Sequence, residues 1–260
     1  MRATIMLLGL GGASGLAMRG LNRARPRTGM LSLSSDATVP SITLRYFDIQ
    51  GAAEKVRLAF VLGRIPFSDE RVPFDQWGSV KPTTPYGQLP VMSIDGGEPI
   101  AQSDAMLRFA GKLATANGVP LYPDDDMLAI EEARGLVSDL EREWRIPVGI
   151  GFQDPALFGH SPEIKGTPEH KAIIEAVRVK FLEEELPKYM GFLSTRLRRS
   201  AYLCGSNPTI ADCALIPVLN RLSSGGVDFV PADCLDSYPD VVRYVARFME
   251  LPEVKAWYGK

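Results

Sequence analysis

Histidine and cysteine are scarce in this chain. Two histidines, His160 and His170, and three cysteines, Cys204, Cys213 and Cys234, serve 260 residues. A histidine-based nucleophile triad would have to use one of the two. Neither has a nucleophile motif beside it, and both are expected at the surface. An odd cysteine count without a CxxC spacing argues against a disulfide scaffold and against a zinc site. It fits a reduced compartment. Cys204 and Cys213 are expected to act as small buried apolar groups. There is no long basic run and the net charge is −2, so nucleic acid is a poor partner. A long apolar run is lacking as well. The stretch ATIMLLGLGGASGLAM holds 16 residues and is glycine-rich, which disfavours a permanent membrane span.

Acidic residues and lysine are rare at the start of the chain. Residues 1–40 carry Arg2, Arg19, Arg23, Arg25 and Arg27, no lysine, and one acid, Asp36. Arginine-rich, serine-containing and acid-poor is the composition of an organelle transit peptide, plastid or mitochondrial. The apolar stretch also permits a signal-peptide core and secretory entry. A disordered tail with no address, and hence a cytoplasmic protein, is the remaining alternative. Residues 1–40 are accordingly set aside as a leader.

What remains has ordinary globular composition, 45% hydrophobic and 23% charged over the whole chain, enough for one large domain or two small ones. ITLRYF predicts a strand, being rich in β-branched and aromatic residues. GAAEKVRLAFVLGR places Ala53, Val56, Phe60 and Leu62 near helical spacing and meets Gly63 as a C-cap signal. IPFSDERVP predicts a second strand and FDQWGSVKPTTP a short helix or irregular loop. LPVMSI predicts a third strand. Asp95-Gly96-Gly97 is a hairpin turn into EPIA, a fourth. SDAMLRFAGKLATANG predicts a helix opened by Ser103 and closed by Gly118. The order βαβ-ββα implies a parallel pair with a right-handed crossover and an antiparallel addition to the same sheet. The predicted fold class is therefore an α/β N-terminal thioredoxin-like domain, residues 41–118, followed by an all-α helical bundle domain, residues 126–260. The second part rests on amphipathic runs with almost no strand signal. Pro187 is placed to kink the longest of them. Thr209 and Asp212 form a near capping box, expected to nucleate a buried helix.

Four stretches carry a resemblance: LRYFDIQGAAEKVRLAF, W…K…PYGQLPV, IAQSDAMLRFAGK and YLCGSNPTIADCAL. They fall in both predicted domains. From about Ile42 to Tyr258 the chain resembles the cytosolic-type glutathione transferases, and most of all the sigma class, which includes glutathione-dependent prostaglandin D synthases. The resemblance implies a site for glutathione as co-substrate. Leu89, before a cis Pro90, would pair with the cysteinyl backbone, with Gln88 beside it. Gln102 and Ser103, at a helix N-terminus, would take the γ-glutamyl end, where exposed N–H groups suit a carboxylate. Trp77 and Lys81 would hold the glycine end. Tyr46 falls where the sigma tyrosine stands and would donate its hydroxyl to the thiolate. A free thiol has a pKa near 8.5, so thiolate must be stabilised for reaction at neutral pH.

The resemblance further implies a small hydrophobic electrophile, with Trp144, Ile146 and Phe152 as candidate contacts, and a homodimer facing its partner through the hairpin region and the first long helix. Two departures matter. Sigma members commonly carry an arginine after the RG that follows the tyrosine; here the stretch is Gln50-Gly51-Ala52, which weakens an assignment as a prostaglandin isomerase. Glu141 aligns with an acidic position that binds a divalent ion in some relatives, but its neighbour is Arg142, so no metal is expected. The expected activity is conjugation of the glutathione thiolate to an electrophile. A glutathione-dependent isomerase or peroxidase, or a non-catalytic member that kept the fold, are the alternatives.

Overall fold

The structure, a computed structural model, describes residues 40–259. The leader expected at residues 1–40 thus lies, but for Pro40, outside the described residues. The chain opens with β1 (Ile42–Phe47), whose side chains alternate buried and half-exposed. Ile42, Leu44 and Tyr46 therefore share the inner face. A 3-10 turn at Gly51–Ala53 leads into α1 (Glu54–Leu62). Then come β2 (Ser68–Val72), a short α2 (Trp77–Val80) flanked by 3-10 turns, β3 (Val91–Ile94), β4 (Ile100–Ala101) and α3 (Ser103–Ala116). The strands lie in the order β2-β1-β3-β4. β1 runs parallel to β2 and antiparallel to β3, and β4 returns antiparallel beside β3. This is the expected mixed, thioredoxin-like sheet. At the hairpin, Asp95 and Gly96 both take positive φ (52° and 68°) and Gly97 donates to the Ile94 carbonyl at 2.9 Å, as an Asp-Gly turn requires.

The rest is helical: α4 (Met127–Gly149), α5 (Pro168–Lys180), α6 (Leu186–Leu197), α7 (Ile210–Leu222), α8 (Pro239–Met249) and α9 (Pro252–Tyr258). Where Pro187 is placed to kink the long run, the helix carries a π-helical turn, Phe181–Glu185, between α5 and α6. A proline cannot donate to the preceding turn, and the wider turn absorbs the missing bond. Thr209 and Asp212 form a reciprocal capping box on α7. Asp212 is fully buried and accepts from Leu203 N, Thr209 N, Thr209 Oγ1 and the Tyr244 hydroxyl. Burial still pushes its pKa upward against those donors.

Helix α1 packs against α3, α7 and α9 as well as following the sheet, so almost all of it is buried. Gly63 is its C-cap, as expected, and the left-handed residue is the one that follows, Arg64 (φ 52°). Gly63 is glycine for another reason: a Cβ there would lie 2.7 Å from the Ala114 Cβ of α3. Three local readings need correction. The N-cap of α3 is Gln102, with no side-chain cap, and Ser103 is the first helical residue. His170 is not a surface residue; it is buried, with Nε2 3.0 Å from the Ile150 carbonyl and Nδ1 accepting from Gly166 N at 3.3 Å. Because Gly166 can only donate to Nδ1, Nε2 carries the proton. Finally, β4 is only two residues long.

Candidate active site

The end of β1 carries Tyr46 inward, and the loop that follows folds back over its hydroxyl. Ala52 N donates to Tyr46 Oη at 3.1 Å. Gly51, at φ 43°, lies against the ring. Arg57 approaches from α1, its Cζ 5.8 Å from the ring centroid. Phe47 sets its edge against Tyr46 (5.4 Å, 65°), stacks on Phe74 (4.8 Å, 13°) and meets Trp77 edge-on (5.3 Å, 73°). Phe74 is largely exposed, an uncommon situation for a large aromatic side chain.

A cleft of about 210 Å³ opens beside this cluster. It is lined by Ala52, Gln88, Leu89, Pro90, Ala101, Gln102 and Ser103. Five residues singled out in the sequence for a peptide site thus share one cavity, and Ala52 joins that cavity to the Tyr46 hydroxyl. The Leu89–Pro90 peptide is cis. Gln102 has φ 78° and ψ 99°, a region that costs a non-glycine residue about 1–3 kcal/mol. Such strain in a cavity wall points to function rather than packing. Trp77 opens α2 and is half-exposed, and Lys81, in the next 3-10 turn, is exposed. Neither lines the cavity; Trp77 packs edge-on against Phe47, and Lys81 lies against Gly87, the residue before Gln88 of the cavity wall.

Behind the start of α3 sits a charge cluster that sequence reasoning missed. Asp104 Oδ1 receives Lys55 Nζ at 2.8 Å and Arg134 Nη2 at 2.6 Å. Lys55 also reaches Glu141 of α4 at 3.4 Å. Burial works to raise the Asp104 pKa, but the two cations outweigh it and hold the carboxyl below its usual range. Burial pushes the Cys204 thiol up to about 11 and raises that of Cys213 well above its usual value, so neither supplies a thiolate at neutral pH.

This arrangement has relatives. A family model described as the glutathione S-transferase N-terminal domain matches residues 52–113, and one described as the C-terminal domain of the same family matches residues 166–260. The chain belongs to the glutathione S-transferase family. Glutathione S-transferase 1 of Ascaris suum is 28% identical over 220 residues, which span 84% of this chain and 96% of that protein. Prostaglandin synthase D of Nilaparvata lugens has the same fold with a TM-score of 0.67 at 25% identity, covering 85% of this chain and 98% of that one. The glutathione S-transferase of Ascaris lumbricoides gives 0.63 at 27% identity, covering 85% and 97%.

Within this transferase fold the three residues expected to meet an electrophile are dispersed. Trp144 is buried and packs on Phe181 with ring centroids 4.9 Å apart, deep in the helical part. Ile146 and Phe152, at the end of α4 and just after it, are exposed. Among the described residues no group of His, Cys, Asp or Glu could hold a metal ion, and no helix is long and apolar enough to cross a membrane. Glu54, Lys55 and Arg57 are buried charges that the apolar pattern of α1 did not single out. The Glu54–Arg57 pair at i, i+3 is visible in the sequence, but such pairs are equally at home on an exposed helix face, so it does not mark burial.

Proposed function

We propose that this transferase-family chain conjugates the thiolate of glutathione to small hydrophobic electrophiles, with Tyr46 as the thiolate-stabilising donor. The reading rests on one observation above all. Tyr46 Oη accepts from Ala52 N, which leaves its own proton to donate, at the edge of the cavity lined by Gln88, Leu89, Pro90, Gln102 and Ser103. The tripeptide would lie along that cavity. Its cysteinyl backbone would meet Leu89 and its γ-glutamyl carboxylate the N-terminus of α3 at Gln102 and Ser103. Lys81 and the Trp77 indole N–H would hold the glycine carboxylate. Residues 41–118 would thus bind glutathione and residues 126–260 complete the electrophile site.

Chemically, the phenol is asked to stabilise a charge that the free thiol carries only to a few per cent at pH 7. Lowering the thiol pKa by about two corresponds to roughly 2.7 kcal/mol, within reach of a hydrogen bond to a charged acceptor plus the local field. Orientation of the bound thiolate supplies much of the remaining rate. The open face of Phe74, stacked on Phe47, favours a planar aromatic electrophile. Ile146 and Phe152 would shield its far side. No metal takes part in the proposed step. Dimer formation is supported by exposed apolar side chains on the hairpin side and at the start of α4, namely Tyr86, Ile100, Met127 and Leu128. For residues 1–40 we propose a targeting role, to an organelle or the secretory route.

The likeness to a prostaglandin synthase supports a second reading, a glutathione-dependent isomerase. Against it stands Ala52, where an arginine is common in that class. The deciding experiment is the thiolate absorbance of bound glutathione, titrated with pH, for the natural chain and for Tyr46→Phe, with turnover of a chlorodinitrobenzene-type substrate alongside. A raised thiol pKa and lost turnover in the variant are expected. Unchanged values would remove Tyr46 from the mechanism, and no binding at millimolar glutathione would favour a non-catalytic role. Product analysis with endoperoxide and hydroperoxide substrates separates transferase from isomerase and peroxidase.

A further inference from the structure

We propose that Arg57 is the positioning residue for the Tyr46 phenol, and that the C-terminal helix takes part through Trp257. This rests on the role just given to Tyr46. Arg57 is fully buried. Its Nη1 donates to the carbonyls of Ile49 (2.9 Å) and Gln50 (3.2 Å) and to Glu54 Oε2 (3.0 Å). Its Nε donates to Asp69 Oδ1 at 3.0 Å. One guanidinium therefore fastens the loop after β1 to α1 and to β2. The two fixed carbonyls immediately precede Gly51 and Ala52. They set the peptide whose N–H points at Tyr46 Oη. The same guanidinium stands 5.8 Å from the Tyr46 ring centroid, within cation–π reach, and so pins the ring from another side.

Nη2 of Arg57 is buried with no hydrogen-bond partner. A buried guanidinium normally spends all its donors, so the group's orientation is imposed by its other contacts rather than by saturation of its own bonds. Glu54 explains part of that. Its Oε2 holds Arg57 while its Oε1 accepts from Trp257 Nε1 at 3.0 Å. Helix α9, at the far end of the chain, thereby braces the side chain that braces the catalytic loop. The position where an arginine is common in the sigma class is Ala52, which contributes only its backbone. Arg57 supplies positioning from below the loop instead.

The test uses the full chain and three variants. Arg57→Lys keeps the charge but replaces a planar fork by a single point, which cannot span both carbonyls and Asp69. Trp257→Phe keeps an aromatic ring beside Phe67 and removes the N–H that Glu54 accepts. Tyr46→Phe is the control, alone and combined with Arg57→Lys. The thiol pKa of bound glutathione is read by thiolate absorbance, and kcat and KM are followed from pH 6 to 9. Arg57→Lys is expected to raise the thiol pKa by about one, lowering kcat about fivefold at pH 6.5 with recovery towards pH 9. KM for glutathione should hold, since the tripeptide cavity is untouched. Trp257→Phe should shift the same way by less. On the Tyr46→Phe background Arg57→Lys should add nothing.

The inference is overturned if Arg57→Lys lowers kcat equally at every pH, or if its effect persists without the phenol; either result would make Arg57 structural only. An unmoved thiol pKa in Trp257→Phe would detach α9 from the relay. The two readings fail separately. A silent Tyr46→Phe removes the proposed function, whereas a shifted Tyr46→Phe beside an unshifted Arg57→Lys removes only the role of Arg57.

Discussion

A methyl group at Gly51 would lie 2.5 Å from Tyr46 Oη and 2.7 Å from Cε1 of the same ring. The phenol occupies the space a side chain would need, and the backbone there is at φ 43°. Gly51→Ala must therefore push the ring aside or move the loop. The expected result is a loss of turnover approaching that of Tyr46→Phe, with stability reduced by about 1 kcal/mol from the left-handed backbone. Circular dichroism and urea denaturation would verify the fold while kcat/KM reports the site. A variant with full activity would show that the ring does not need this seat.

Gln102 stores backbone strain in the wall of the cavity. Replacing it by glycine relieves a cost of about 1–3 kcal/mol and restores unfolded-state entropy worth about 0.5–1 kcal/mol, so a net gain near 1 kcal/mol is expected. The same change deletes the amide proposed to meet the γ-glutamyl end. Gln102→Gly should therefore unfold at higher urea concentration yet bind glutathione more weakly, by about tenfold. Calorimetric titration and denaturation on one preparation check both halves. Weaker binding with no gain in stability would mean that the strain is compensated locally.

The elements of the sheet were legible because each carries a local cause. ITLRYF has β-branched and aromatic residues in alternation, and Asp95-Gly96 can take the two positive φ values of a tight turn. The peptide-site residues were legible only through resemblance, and the structure brings five of them to one cavity. The buried charges were not legible. Glu54, Lys55 and Arg57 look like a solvated face in sequence, because nothing local reveals that α1 is wrapped on several sides. His170 was misread for the same reason: its burial depends on the carbonyl of Ile150, twenty positions away. Trp144 lies on a helix with several faces, and the apolar pattern does not say whether a large ring turns to a cleft or to Phe181.

The Asp104 cluster makes a pH prediction. Lys55 and Arg134 share its Oδ1 and hold its folded pKa below the ordinary carboxylate range. In the unfolded chain the group takes its proton near pH 3.9. The unfolded state therefore binds the proton at a higher pH than the folded state does. Its stabilising effect is complete above that pH and is lost as pH falls through the lower, folded value. Asp104→Asn should be less stable than the natural chain at pH 7, and the gap should narrow between pH 4 and pH 2.5. Urea denaturation at a series of pH values measures it. A gap that stays constant down to pH 2.5 would mean that the carboxylate is not what the two cations stabilise.

Trp144 and Phe152 were both candidates for electrophile contact, and their surroundings now separate them. Trp144 is 5% exposed and packs on Phe181, whereas Phe152 is 64% exposed. Removing a buried indole loses transfer energy and leaves a cavity, so Trp144→Ala should cost about 3–5 kcal/mol of stability. Phe152→Ala removes a ring that contributes little to the core and should stay within about 0.5 kcal/mol of the natural chain. If Phe152 shields a bound electrophile, its variant should instead raise KM for the more hydrophobic of two electrophiles while KM for glutathione holds. Thermal and urea unfolding of both variants, set beside KM for a short and a long-chain electrophile, checks the pair. A stable Trp144→Ala with altered electrophile preference would return that residue to the substrate site.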